Sequence, residues 1–309
     1  MRATIGLLTY NHQNSIHRDI FVRSLECLVN QDYKNKELVI CDDHSTDGTY
    51  EICQKYAERY SFIKLFRNDQ NLGAMMNFDK LLTNISGDIF LWACPDDCYA
   101  VNYVTACVNT FVKSNKTIMV TSAVKVLNDN GDIYHWYYHD FARNLPFRKL
   151  VRNILKCRDT MGFYIEYQSI IHASMVRVKY IPMIYCRDAF YGFEEAWFIN
   201  TLIWGKLDYI NSILYYRYAS FVSYEIKNPE VFINFSKRFC YLVAALKYLK
   251  YFLFYSNIKF LKKPKYVHVG LLVFIYRIFP RIWAEIKMEI LNMFQKLKII
   301  FSTVIKNGS

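Results

Sequence analysis

An α/β domain with a mostly parallel sheet, helices on both faces and a basic helical region after it is the fold class this sequence predicts. Three observations lead there. Through the first hundred residues, short apolar runs of strand length alternate with stretches whose apolar residues recur at helical spacing. Two of the strand-like runs end alike, in adjacent carboxylates: Asp42-Asp43 and Asp96-Asp97. The formal charge of +12 lies wholly in the last quarter, where residues 231–309 carry 11 Lys and 3 Arg against Glu285 and Glu289.

Taken in order, residues 4–9 read as a first buried strand ending at Tyr10-Asn11. A helix follows from about Ser15, with Ile16, Ile20, Phe21, Leu25 and Leu28 on one face. Residues 37–41 are a second strand, closed by the polar run from Asp42 to Thr49. Ser45, Thr46 and Asp47 are candidate N-caps for a helix through Tyr60, because their side-chain oxygens accept from free N–H groups. Residues 62–66 form a third strand, and Asn71-Leu72-Gly73 leads into a helix through Leu82. Residues 89–93 form a fourth, of the length of a buried strand. This βαβαβαβ order predicts parallel pairing with right-handed crossovers.

Parallel strands present their carboxyl ends on one edge, where ligands of open α/β sheets bind. Both Asp-Asp pairs therefore face one crevice. Two adjacent acids repel unless a cation, a hydroxyl or another donor offsets the charge. Oxygen ligands of this kind suit Mg²⁺ or Mn²⁺. Other devices are missing: there is no glycine-rich dinucleotide fingerprint, no P-loop and no HExxH zinc motif. His135 and His139 are spaced to share a helix face, with Trp136, Tyr137 and Tyr138 between them.

In order and spacing, these motifs resemble the family-2 glycosyltransferases, which have the GT-A fold and bind nucleotide-sugars. Thr9-Tyr10-Asn11 matches the opening TYN, and the stretch from Cys41 to Thr49 matches VDDxSTDGT. Asn71, Gly73 and Asn77 match NxGxxxN, the stretch from Gly87 to Asp97 matches GDYIxxxxxDD, and Tyr216-Arg217 matches a YR pair. The resemblance covers roughly residues 3–223. It implies a nucleotide-sugar site formed by Thr9, Tyr10, Asn11, Asp43, Asn71, Asn77 and Asp96, with Tyr10 and Asp43 on the nucleoside. It implies a divalent metal, Mg²⁺ or Mn²⁺, at Asp96 and Asp97. It also implies a general base at Glu195, or else at Glu194, for a single inverting displacement. The chain departs from the family in three places. Cys94 stands where the metal motif often has its first Asp, Ala219 where many members have a His, and Glu195 where Asp is commoner. A GT-A-like binding protein that has lost catalysis is the competing reading. A nucleotidyltransferase would want a glycine-rich phosphate loop, which is missing.

The chain has 309 residues, 53% of them apolar and 17% aromatic, which excludes a disordered protein. The aromatic load is heavy over residues 131–193, the part that in the family shapes the acceptor site. Nine scattered cysteines and an N-terminus running straight into a strand, without signal-peptide architecture, are read as a cytosolic protein with free thiols. A composition boundary near Asn228-Pro229 divides a catalytic domain, 1–228, from a tail, 229–309. The longest uncharged run of that tail considered as a span, residues 266–276, is too short to cross a bilayer. Basic, aromatic-rich amphipathic helices suit an anionic membrane surface. A helical cap on the domain with a solvated basic face is the alternative, and nothing resembles a nucleic-acid module. The expected partners are a nucleotide-sugar donor, a lipid-linked saccharide acceptor and an anionic membrane surface on the inner face of the cell membrane. Oligomeric state leaves no mark in the sequence.

Overall fold

The computed structural model describes residues 1–13, 18–127, 133–137, 171–185 and 204–218, together with Trp197 and Thr201. Strand β1 (Ala3–Thr9) is buried on both faces, with Ala3, Ile5 and Leu7 on one and Thr4 on the other, all at 0% exposure. Such a strand has to lie inside a sheet covered on two sides. It pairs in parallel with β2 (Lys36–Asp42) and with β4 (Ile89–Ala93), and β2 pairs in parallel with β3 (Ile63–Arg67). Helices α1 (Arg18–Val29), α2 (Thr49–Arg59) and α3 (Ala74–Thr83) make the crossovers.

The two faces are filled by different helices. Phe21, Leu25 and Leu28 of α1 share one core cluster with Ala3, Ile5 and Leu7 of β1 and with Ile89, Leu91 and Ala93 of β4. The alternate residues of β4 point the other way, as the two-residue period of a strand requires. There the Phe78 ring of α3 stacks on Trp92 at 3.9 Å and meets Phe90 at 6.2 Å. Each such side chain, fully buried, contributes roughly 1.5–3 kcal/mol.

Beyond β4 the chain adds β5 (Cys98–Tyr99), α4 (Tyr103–Phe111), β6 (Thr117–Leu127), β7 (Ile133–Tyr137), β8 (Ser174–Arg177) and β9 (Lys206–Tyr218). The sheet runs β3-β2-β1-β4-β8-β6-β9-β5, with β7 added on β6. Strand β8 is antiparallel to both β4 and β6, and β9 is parallel to β6. The C-terminal end of β9 therefore returns to the same edge as the ends of β1, β2, β3 and β4. That edge carries both Asp-Asp pairs. The described residues belong to one compact unit, and a second unit, residues 188–192 and 228–309, lies outside them.

Some local expectations need correction. Helix α2 starts at Thr49 behind Gly48, which holds φ +94° in the left-handed region, with no side-chain cap. None of Ser45, Thr46 or Asp47 is the N-cap, because Gly48 holds that place; Ser45 bonds Asp42 and Asn11, and Asp47, one residue further out, accepts the Thr49 N–H at 3.0 Å. His135 belongs to β7, so it cannot share a helix face with His139, which lies outside the described residues. The pairing of β7 with β6 explains the difference: sheet partners override local spacing. Helix α1 is seen from Arg18, and the proposed start at Ser15 with Ile16 lies outside the described residues.

Candidate functional site

Asp42 and Asp43 are neighbours in sequence and do different things. Asp42, the last residue of β2, is fully buried and faces back toward β1. Its Oδ1 accepts the Thr9 hydroxyl at 3.0 Å and the Ser45 hydroxyl at 2.5 Å, and its Oδ2 accepts the Ser45 N–H at 2.9 Å. The Arg67 guanidinium stands 3.7 Å away, donates to the Ser45 carbonyl at 2.7 Å and stacks on the Tyr50 ring at 4.5 Å. This set latches the end of β1 to the loop after β2. Thr9 contributes to the site through that latch.

The Asp43 carboxylate is turned the other way, into a ring of donors. Asn68 Nδ2 donates to Oδ1 at 2.7 Å, the Leu72 N–H to Oδ1 at 2.8 Å and the Gly73 N–H to Oδ2 at 2.8 Å. The next residue, His44, sits at φ +63°, a conformation that side chains other than Gly rarely adopt. A strained residue at a ligand-bearing edge fits a backbone held in place by its surroundings, here by a His44 Nδ1 contact to the Asn68 carbonyl at 3.2 Å. Asn68 in turn donates to Asn77 Oδ1 at 3.0 Å, and Asn77 Nδ2 donates to the Cys41 carbonyl at 3.0 Å. Asn77 is thus buried behind Asp43 and supports it through Asn68. Asn71 Oδ1 accepts the same Gly73 N–H at 2.9 Å. A carboxylate has about four acceptor positions; three donors leave Asp43 room for one more.

Tyr10 and Asn11 leave β1 directly beside this ring. Tyr10 is 47% exposed, so its ring is open to a ligand. Asn11 takes φ +52° and is stapled to the opposite loop: its N–H donates to Ser45 Oγ at 3.1 Å and its Oδ1 accepts the Thr46 N–H at 2.9 Å. Gln13 N–H to Asp47 Oδ2, at 2.6 Å, and His12 N–H to Thr49 Oγ1, at 2.8 Å, complete the seam.

The second pair stands beyond β4. Ligand atoms of Cys94, Asp96 and Asp97 all lie within 4.8 Å of one another. Asp97 is buried, and β9 pins it: the Tyr215 phenol donates to Oδ2 and the Tyr218 N–H to Oδ1 at 3.1 Å. Burial and the Asp96 charge push the Asp97 carboxyl up to about 7, against the pull of Arg217 and the two donors. Burial, then Asp96 and Asp97, push the Cys94 thiol well up. Two raised groups beside a half-exposed Asp96 form a donor set that a divalent cation relieves, and two carboxylates fit Mg²⁺ or Mn²⁺. Cys94, which replaces the family's first Asp, adds a softer atom to the same cluster.

Sequence reasoning missed Asn68, which follows β3 in the stretch Arg67-Asn68-Asp69. The signal was there, since the third parallel strand ends on the same edge as the others. It also missed His172. His172 lies just before β8. Its Nδ1 contacts the Trp92 carbonyl at 3.1 Å, and its ring meets Trp92 edge-on at 5.2 Å. Burial brings that imidazole down to about 4. Tyr216 and Arg217 close β9 at the same edge, and Arg217 acts electrostatically on Asp97 and His172. Glu194, Glu195 and Ala219 lie outside the described residues.

Comparison with known proteins agrees with this geometry. The model of the family described as glycosyl transferase family 2 matches residues 4–177. The cholesterol galactosyltransferase of Borreliella burgdorferi is 44% identical over 69 residues, 22% of this chain and 19% of that protein. The UDP-Glc:alpha-D-GlcNAc-diphosphoundecaprenol beta-1,3-glucosyltransferase WfgD of Escherichia coli is 25% identical over 151 residues, 49% of this chain and 55% of that protein. The matched stretches thus span about a fifth and about half of these two relatives. Among solved structures, S. aureus TarS 1-349 aligns with a TM-score of 0.52 at 16% identity, covering 92% of this chain and 83% of that one. The chain belongs to glycosyl transferase family 2 and has its GT-A fold.

Proposed function

We propose that this member of glycosyl transferase family 2 moves a sugar from a nucleotide-diphosphate sugar, UDP- or dTDP-linked, to a hydroxyl of a lipid-linked saccharide, with inversion. The observation that carries the reading is the Asp43 carboxylate, held by three donors on the same sheet edge as Asp96. Its remaining acceptor position suits the imide N–H of a uracil or thymine. Tyr10 stacks on the base, and Asn11, Asn71 and Asn77 shape the loops around it. The diphosphate then extends toward Asp96. In support, WfgD of E. coli is named for a UDP-Glc donor and a diphosphoundecaprenol-linked acceptor.

Asp96 and Asp97, with Cys94 beside them, are the residues that would hold Mg²⁺ or Mn²⁺. A cation held there would neutralise charge on the departing diphosphate, which is stabilisation where charge develops. Asp97 orients the loop, because Tyr215 and the Tyr218 N–H fix both its oxygens. Asp96, the less buried of the pair, carries the outward charge. Arg217 adds a fixed positive charge on the same edge. Glu195, or Glu194, takes the proton from the acceptor hydroxyl as its oxygen attacks the anomeric carbon.

The basic tail, residues 229–309, serves in this reading as a peripheral anchor on the inner face of the cell membrane, where lipid-linked acceptors of bacterial surface polysaccharides are found. Among the described residues no helix is long and apolar enough to cross a membrane. The test is transfer of label from a panel of UDP- and dTDP-sugars to a saccharide on diphosphopolyprenol. Label in the organic phase with one donor supports the reading. Nucleotide binding without transfer from any donor would favour the catalytically silent alternative. Truncation after Asn228 is expected to release the protein from anionic vesicles, and a truncated chain that still sediments with them would overturn the anchor.

A further inference from the structure

We propose that Cys27 and Cys98 form a thiol pair that hydroperoxides convert to a disulfide, a covalent modification site that stiffens the Asp96–Asp97 loop. Cys27 lies on α1 and Cys98 opens β5, the residue after Asp97. The two elements pack together. Cys27 packs against the small cluster that Cys98 forms with Leu127 and Tyr218. The Cys98 thiol reaches the Arg23 carbonyl at 3.8 Å. Arg23 is one helical turn before Cys27 and so lies on the same side of α1. Its guanidinium stands 3.9 Å over the Tyr218 ring, and the Tyr218 N–H donates to Asp97. The pair is therefore joined to the metal-type loop both through the chain and through β9.

Among the described thiols only Cys27 and Cys94 are partly exposed. Cys27 is half-buried, whereas Cys41, Cys53 and Cys107 are buried and pushed up to about 12 by desolvation. Contact with Cys98 outweighs partial burial and brings the Cys27 thiol down to about 7, favouring the nucleophilic thiolate. The chemistry balances with a hydroperoxide as oxidant. The Cys27 sulfur attacks the peroxide oxygen, the O–O bond breaks, and the alcohol or water leaves, giving a sulfenic acid. The Cys98 sulfur then attacks the Cys27 sulfur, the S–O bond breaks, and water leaves with the Cys98 proton. Two thiols and one peroxide become one disulfide, one alcohol and one water. A disulfide holds its Cβ atoms about 3.5–4.5 Å apart, tying α1 to β5 at this point.

The test treats the full chain with hydrogen peroxide and follows intact mass, non-reducing peptide maps and backbone hydrogen exchange. Expected are a loss of about 2 Da for one disulfide, a Cys27–Cys98 linked peptide reversed by dithiothreitol, and at least threefold slower exchange over residues 94–99. Cys27→Ser should form no such link and show no slowing. A link to a different cysteine, oxygen addition at Cys27 without a link, or a linked protein whose residues 94–99 exchange as before would each overturn the proposal. None of these readouts depends on nucleotide or sugar.

Discussion

The Gly73 N–H meets the Asp43 carboxylate at 2.8 Å, across 30 residues of chain, and this contact joins the loop after β2 to the start of α3. Gly73 holds φ +82° and ψ 158°, a region open essentially to glycine alone. An added Cβ would meet nothing within 4 Å, so the cost of substitution is torsional. Gly73→Ala should lose about 1–3 kcal/mol in urea unfolding and weaken nucleotide binding. Unchanged stability would mean that the loop tolerates another conformation.

At the opposite end of the strands, Glu37 is buried on β2 with Arg2 at 3.0 Å and Lys64 at 2.8 Å. Burial alone would raise its carboxyl; Lys64, Thr4 and Ser86 outweigh that and hold it at about 2. A carboxylate depressed in the folded state contributes stability that is fully present above its ordinary value of about 4.3 and is lost as pH falls through the folded value. Thermal unfolding should therefore show stability draining between about pH 5 and pH 2, with a shallower slope in Glu37→Gln. Equal slopes would remove Glu37 from the account.

Tyr215 and Asp97 form a buried hydrogen bond 118 residues apart in sequence. Tyr215→Phe leaves Asp97 Oδ2 without its phenol and should cost about 1–3 kcal/mol in stability. The Asp97 carboxyl, already raised to about 7, should titrate higher still in carboxyl-resolved NMR. A Phe variant with wild-type stability and titration would make the pin incidental.

Glu195→Gln should keep nucleotide affinity and lose transfer by at least a hundredfold, the lower end of a general base's usual contribution, about 10²–10⁴-fold. Single-turnover rates beside calorimetric affinities separate the two effects. A variant turning over at the wild-type rate would move the base to Glu194 or elsewhere.

The parallel half of the sheet was legible because its strands are buried on both faces and its turns are polar. Asp43 and Asp96 were legible as the acids that end two parallel strands. What the sequence concealed was the division of labour within each pair. Strand alternation turns Asp42 and Asp43 to opposite sides, but nothing local says that Asn68, Leu72 and Gly73 will supply the donors around Asp43. Nor does any local signal say that Tyr215 will return to fix Asp97, since that depends on β9 pairing with β5 and β6. Asn77 matched a motif position, yet it acts from behind Asp43 through Asn68. Ser45 was a good cap by type, but it bonds Asp42 and Asn11 instead, whereas Asp47 accepts the Thr49 N–H from just outside the helix as well as the Gln13 N–H.

Calorimetric titration with UDP, dTDP, GDP and CDP, each with and without Mn²⁺, on the wild type and on Asp96→Ala, reads out the nucleotide site and its metal together. One nucleotide should bind, Mn²⁺ should tighten it, and Asp96→Ala should abolish the tightening. Binding of none of the four, or an Asp96→Ala variant that binds as tightly as the wild type in Mn²⁺, would contradict a nucleotide-sugar site spanning Asp43 and Asp96.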